Sequence, residues 1–240
     1  AKLASLAGHQ VMIANSRNPE TLDEFARQIG AKAVSPRKAA MATDIVVLSI
    51  PQNAVTSLPP DLFAATPRGA AIIDTGNYYP QTRDGIIDEI ESGMLESEWV
   101  ASRIGMPVIK AFNMIKARNL ATGGTAPGTP HRIAIGIAGD DPDQKARVAT
   151  LIDDIGFDAV DAGQLSDSWR MHPGTIGYCH NYDAVTLRAA LAATNQAQIA
   201  QYRREADAFA AELMKQLGSV DAVGAASVSY THLRAHETKA

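Results

Sequence analysis

The chain predicts an α/β fold, a doubly wound parallel sheet that lacks its first strand and is followed by a helical C-terminal extension. Three observations predict it. Short apolar runs rich in β-branched residues alternate with helix-periodic segments as far as Asp161, the pattern of a parallel sheet covered by helices. The first such run, Val11-Met12-Ile13-Ala14, has only a helix-like segment before it. Beyond Gly163 the alternation stops, and a long Ala-rich helical pattern takes over.

The elements follow in order. Residues 1–8 read as the end of a helix, with Leu3 and Leu6 three apart and Gly8 in the C-cap position. After the strand 11–14, residues 19–29 carry Leu22, Phe25, Ala26 and Ile29 at helical spacing, closed by Gly30. Residues 31–34 are a short strand, and Ser35-Pro36 opens a brief helix through Ala42. The clearest strand, 44–50, is β-branched, continuous and ended by Pro51, and 69–74 is the next. Residues 96–104 read as a helix with Trp99, Val100 and Ile104 on one face, and 107–112 as a strand. The Gly, Thr and Pro-rich stretch 121–131 is the candidate hinge or lid. Strands at 132–138 and 157–161 flank a helix at 143–155. From 183 to 217 the pattern is one long helical stretch, which predicts a homodimer packed through the C-terminal helices.

Composition narrows the partners. A net charge of −4 leaves no basic surplus to neutralise phosphates, so nucleic acid is not expected. A single cysteine, Cys179, excludes an intrachain disulfide framework and suits a reducing cytoplasm. No apolar run reaches the ~18 residues of a membrane span. The expected partner is a small molecule.

In an open parallel sheet, ligands bind outside the carboxyl ends of the strands. Where an NAD-binding chain places Asp or Glu after its second strand, this chain has Asn15-Ser16-Arg17. A hydroxyl and a guanidinium suit a 2′-phosphate that a carboxylate would repel, so the expected cofactor is NADP(H). Further strand ends carry Ile50-Pro51-Gln52-Asn53, Asp74-Thr75-Gly76-Asn77 and Lys110-Ala111-Phe112-Asn113, whose amides and close backbone approach suit the rest of a dinucleotide. The glycine fingerprint G-x-G-x-x-G is absent from the sequence. The chain therefore reads as beginning inside the first helix, with a strand and tight turn of roughly 15–20 residues expected before it.

The segments Leu3-Ala-x-Leu-Ala-Gly-His9, Asn15-Ser-Arg17, Val46-Val-Leu-Ser-Ile-Pro51, Asp74-Thr-Gly-Asn77 and Lys110-Ala-Phe-Asn113, in that order, resemble the NADP-oxidoreductase family that includes NADPH-dependent deazaflavin (coenzyme factor 420) reductases. Gly139-Asp-Asp-Pro142 and residues 156–163 extend the resemblance to about residue 170. The resemblance implies a Rossmann domain with a small helical C-terminal part. It also implies that Ser16 and Arg17 hold the 2′-phosphate and that Ile50 and Pro51 flank the cofactor. Asn77, Ala111 and Asn113 would lie near the nicotinamide or a second substrate, which would be a deazaflavin. The domains expected are a truncated NADP-binding unit at 1–165 and a helical region at 166–226. Residues 227–240 resemble a translated adapter, so His232 and His236, spaced i, i+4, are read as part of a foreign tail and no metal site is expected.

Hydride exchange with a deazaflavin needs positioning and water exclusion, whereas reduction of a carbonyl or imine also needs a proton donor. The segment 169–180 holds the concentrated donors, His172 and Tyr178, read first as packing and loop residues. No catalytic residue is assigned. Two rivals to hydride transfer to a deazaflavin or similar acceptor stay open: an NADPH-dependent reductase of a small carbonyl, imine or metal-bound substrate, and a non-catalytic dinucleotide sensor.

Overall fold

The computed structural model describes residues 1–217, so the expectations for 227–240, with His232 and His236, lie outside the described residues. Among the described residues are seven strands: β1 (Met12–Ile13), β2 (Lys32–Ala33), β3 (Ile45–Leu48), β4 (Ala71–Asp74), β5 (Ile109–Ala111), β6 (Ala134–Ala138) and β7 (Asp158–Asp161). The helices are α1 (Lys2–Leu6), α2 (Asp23–Gln28), α3 (Pro36–Ala39), α4 (Asp88–Glu91), α5 (Glu96–Ile104), α6 (Ala117–Thr122), α7 (Pro142–Asp154), α8 (Ala184–Ala193) and α9 (Ile199–Leu217). Among the described residues no helix is long and apolar enough to cross a membrane.

The strands fall into two separate sheets. β1 pairs in parallel with β2 alone, while β3-β4-β5-β6-β7 form a separate five-stranded sheet. β3, β4 and β5 are parallel, in register Ile45↔Ala71 and Ile73↔Ile109. β4 and β5 are buried along their whole length, as strands covered on both faces must be. One face is covered by a core that includes Tyr78, Trp99, Val100 and Phe63. The other is covered by Val148 and Ile152 of α7 with Phe157, and Leu3 of α1 packs against this second core. Local caps agree with the sequence: Ser35 Oγ accepts from Lys38 N, Asp141 from Asp143 N and Gln144 N, and Gly30 sits at φ +70.

The structure corrects several expectations. The sheet is not wholly parallel, because β6 runs antiparallel to β5 (Lys110↔Ala138) and β7 follows β6. The connection from β5 through α6 does not cross back over the sheet, so β6 starts at the end where β5 finishes. The helical stretch 183–217 is broken: Thr194 turns its hydroxyl onto Ala190 O and Asn195 caps a short 3₁₀ turn before α9 starts. The residues foreseen as a lid are tied down. Thr125 N donates to Gly156 O, the buried Arg132 guanidinium donates to Thr125 O and Gly156 O, and it pairs with Asp153 and Asp158. Gly124 and Gly156 (φ +102) touch so closely that a Cβ on Gly156 would lie 2.7 Å from Gly124 Cα.

Candidate active site

A groove of about 2640 Å³ runs along the carboxyl ends of β1, β3, β4 and β5 and into the gap between β1 and β3. Asn15 and Ser16 after β1, Ile50 and Pro51 after β3, Asn77 after β4 and Asn113 after β5 all line it. The fold thus brings these residues, far apart in sequence, onto one surface. Asn15 also builds its own turn: Oδ1 accepts from Arg17 N at 2.9 Å and Nδ2 donates to Thr21 Oγ1 at 3.2 Å. Ser16 and Arg17 are exposed at the tip of that turn, and no ion pair of Arg17 occurs among the described residues.

Ala111 is placed differently from the expectation. Its methyl is fully buried in the core with Ile137 and Ile109, because side chains alternate along β5 and this one falls on the face that Val148 and Ile152 of α7 cover. Phe112, held at φ 64, lines the groove in its place.

Behind the groove the ends of β4 and β5 are joined by a buried ion pair. Lys110 is fully buried, and its Nζ donates to Gly76 O at 2.5 Å and to Asp74 Oδ2 at 3.2 Å. Asp74 Oδ1 accepts from Gly76 N, and Ser97 Oγ donates to Oδ2. A Cβ at position 76 would sit 2.8 Å from Gln52 Oε1 and 3.0 Å from Asp74 Oδ1, so any larger residue would push these buried side chains aside. The turn delivers Asn77 to the groove. The sequence places Asp74 and Lys110 in strand-end loops suited to a ligand; the one sign of their pairing is a lysine inside an apolar strand run and an aspartate at the end of another strand.

Glu96 lies against this pair, 3.8 Å from Lys110 Nζ, and accepts from Tyr78 N. Burial pushes its carboxyl up to about 7, although Lys110 and Arg203 pull the other way. His172 Nδ1 is 3.9 Å from Glu96 Oε1, and burial, with Lys110 and Arg203, holds the imidazole well below its ordinary value and so neutral. His172 is buried behind the groove and does not line it.

The Glu96 carboxyl has a consequence for stability. Its folded value lies above the ordinary 4.5, so between about pH 4.5 and 7 the folded chain holds a proton that the unfolded chain has released. This contribution is complete below about pH 4.5 and is lost as pH rises through about 7. Unfolding free energies from urea titrations across that window should fall with pH by on the order of 3 kcal/mol, and Glu96→Gln should flatten the slope. An unchanged slope in the variant would show that another group carries it.

On the groove side, Asn77, Asn113, Tyr79 and Tyr178 form one hydrogen-bonded cluster. Asn77 Nδ2 donates to Asn113 O at 3.0 Å and to Tyr178 Oη at 3.1 Å, and Asn113 Nδ2 donates to Asn77 Oδ1 at 3.0 Å and Met171 O at 2.7 Å. The Tyr79 and Tyr178 hydroxyls are 2.6 Å apart. Burial raises both phenols, so both are neutral through physiological pH. Tyr178, which the sequence suggests first as a packing residue, thus lines the groove beside Asn77, and the sequence gives no sign of Tyr79. Burial also pushes the neighbouring Cys179 thiol up to about 11, which keeps it protonated. From the far side, Asp207 of α9 accepts from Gln81 N and Thr82 Oγ1, so the C-terminal helix anchors the segment that follows Tyr79. Among the described residues no group of His, Cys, Asp and Glu is arranged to hold a metal ion.

Comparison with known proteins bears on this geometry. The chain is 40% identical over 60 residues to "Putative protein YjhV" of Escherichia coli (strain K12), a stretch that covers 25% of this chain and 44% of that protein. It therefore spans less than half the length of the curated relative it matches. Among solved structures it is similar to a hypothetical protein, SMa0349, from Sinorhizobium meliloti, with 28% identity, a TM-score of 0.58, and coverage of 75% of this chain and 85% of that one. A protein from Arthrobacter sp. FB24, described as a putative F420-dependent NADP-reductase, shares the fold at 20% identity and a TM-score of 0.53, over 70% of this chain and 79% of that one. The resemblance read from the sequence is the one found here by family comparison: residues 1–78 match the family described as NADP oxidoreductase, coenzyme F420-dependent.

Proposed function

We propose that the chain is the nicotinamide-binding part of an NADP(H)-dependent oxidoreductase that passes hydride between the nicotinamide and a deazaflavin or similar small redox acceptor. The family match supports the coarser statement, an NAD(P)-dependent oxidoreductase. The observation that carries the finer one is the groove itself, lined by Ser16, with the exposed Arg17 next to it in the turn, and by the Asn77–Asn113 amide pair. The donor set fits an anionic dinucleotide: a cation and hydroxyl for a phosphate, apolar Ile50, Pro51 and Phe112 for flat rings, and carboxamides for an amide. When bound, the cofactor supplies the hydride. Ser16 and Arg17 would hold its 2′-phosphate, Ile50 and Pro51 would border it, and Asn77 and Asn113 would orient the nicotinamide end and its acceptor. A reducing cytoplasm suits the unpaired Cys179.

Cofactor preference tests this reading. Loss of one charge-assisted contact costs roughly 1.5–3 kcal/mol. Calorimetry should therefore show that Arg17→Ala lowers the NADPH-over-NADH affinity ratio by about 10- to 100-fold. A ratio that does not move rejects the phosphate assignment.

A further inference from the structure

We propose that the acceptor carries an anionic group, a carboxylate or a phosphate, and that Arg83 binds it in a side hollow of the groove. This deepens the reading above and rests on it.

The hollow lies between the ends of β3 and β4 and measures about 230 Å³. Ser49, Ile50, Pro51, Thr75 and Asn77 line it together with Arg83, its one charged residue, and all six also line the groove. It is therefore a compartment of the groove, open to whatever is bound beside Asn77. Ser49 is exposed there and adds a hydroxyl.

Arg83 is set in place by a buried carboxylate. The Asp84 side chain has no exposed surface, and it accepts from Tyr79 N at 2.8 Å and from Asn53 N at 3.4 Å. Arg83 completes the set, with Nε donating to Oδ1 at 3.0 Å and Nη2 to Oδ2 at 2.8 Å. Nη2 spends its other hydrogen on Asn77 O, and the guanidinium lies over the Tyr79 ring, 5.6 Å from the centroid. A guanidinium has five N–H donors. Three are thus spent, and the two on Nη1 make no hydrogen bond among the described residues. Pairing with Asp84 explains why Arg83 is held, but it leaves those two donors unused at the wall of the hollow. Directed N–H bonds from a fixed guanidinium suit a carboxylate or phosphate oxygen.

Asp84 offsets the charge of Arg83, so attraction at a distance comes from the rest of the wall. Lys2, Lys38, Arg83, Lys116, Arg118 and Arg147 line the groove against two carboxylates, Asp44 and Glu205, although the chain carries −4 overall. A cationic surplus in a cleft concentrates anions. Arg83 follows β4, and Lys116 and Arg118 follow β5, the strand ends that carry Asn77 and Asn113, whereas Ser16 and Arg17 follow β1. With the 2′-phosphate at Ser16 and Arg17 and the nicotinamide at Asn77, the anion that Arg83 meets belongs to the acceptor.

Two pairs of probes that differ by the anion alone test this: 5-deazariboflavin with its 5′-phosphate, and 1-pyrroline with 1-pyrroline-2-carboxylate. Each is titrated into the chain saturated with NADP⁺, and the ratio of affinities within a pair is read, so that any change in cofactor affinity cancels. The parent should prefer the charged member by about 10-fold or more, the effect of one charge-assisted hydrogen bond, and added salt should shrink the preference. The pair that shows it distinguishes phosphate from carboxylate. Arg83→Gln combined with Asp84→Asn, which leaves no unpaired buried charge, should bring the ratio to about 1. Arg83→Lys keeps Asp84 paired and should lower the ratio by about 3-fold or more, because an ammonium lacks the second edge of the guanidinium. A parent that binds both members of each pair equally, or none of the four, overturns the proposal. So does a ratio left unchanged in the folded double variant, or in Arg83→Lys where the double variant does not fold. Failure of the parent to bind NADPH overturns the underlying reading instead, and the inference with it.

Discussion

An apolar strand engineered onto Ala1, with a glycine turn before α1, should raise the melting temperature by on the order of 10 °C. The gap between β1 and β3 has the features of a slot for one parallel strand. β1 and β3 each pair on one side only, and both border the same groove with Ala1 and Leu3. Asp44 O and Leu48 O accept from β4's side, so the alternation of a parallel strand sends the Ile45 and Val47 peptide groups toward the slot. Val47, a β-branched residue in the middle of a strand, is 50% exposed. Covering residues such as Val47, Ile13 and Met12 stabilises by roughly 1.5–3 kcal/mol for each side chain fully buried, and paired edges no longer offer unpaired groups to other chains. The added turn would also bring backbone N–H groups to the groove, so NADPH affinity should rise with the melting temperature. The check is calorimetry together with hydrogen exchange. An extended chain with the parent's melting temperature and unprotected amides at Ile45 and Val47 would mean that the slot does not accept a strand.

Lys110→Met should cost about 3–5 kcal/mol, because it removes one partner of a buried pair and leaves Asp74 charged beside apolar strands. In a chain of this size that lowers the melting temperature by about 6–20 °C. Asp74 keeps its bonds from Gly76 N and Ser97, which satisfy hydrogen bonding but do not neutralise the charge. The double variant Lys110→Met with Asp74→Asn should recover part of the loss, since the stranded carboxylate is then neutral. Gly76 O also loses its ammonium donor, so Asn77 is less well held and NADPH should bind more weakly in both variants. A loss below about 1 kcal/mol in the single variant would contradict the account of this pair.

Much of this architecture was legible before any coordinate. The helix 96–104 matches its prediction at both ends, since Trp99, Val100 and Ile104 mark one apolar face and Gly105, at φ +66, closes it. The strands at Ile45–Leu48 and Ala71–Asp74 fall within their predicted apolar runs, and Asn15, Ser16, Ile50, Pro51, Asn77 and Asn113 reach one groove because each follows a strand of a twisted sheet. Local pattern failed where long-range contacts decide. The reversal at β6 depends on how α6 and the loop after it pack on Gly156, and the break at Thr194 is one residue's choice between continuing a helix and ending it.

What the sequence determined by itself was therefore the set of elements, their order and the strand ends that carry polar residues, because hydrophobic period, caps and turn residues act over a few positions. Tertiary structure alone decided which polar residues face the groove and which face each other. Lys110 sits in a strand-end segment with candidate site residues and is a buried clamp, Ala111 has its methyl in the core, and Tyr178, 101 residues from Asn77, is its partner. The physical reason is that a side chain's surroundings are set by neighbours remote in the chain, and only the closed sheet fixes which neighbours those are.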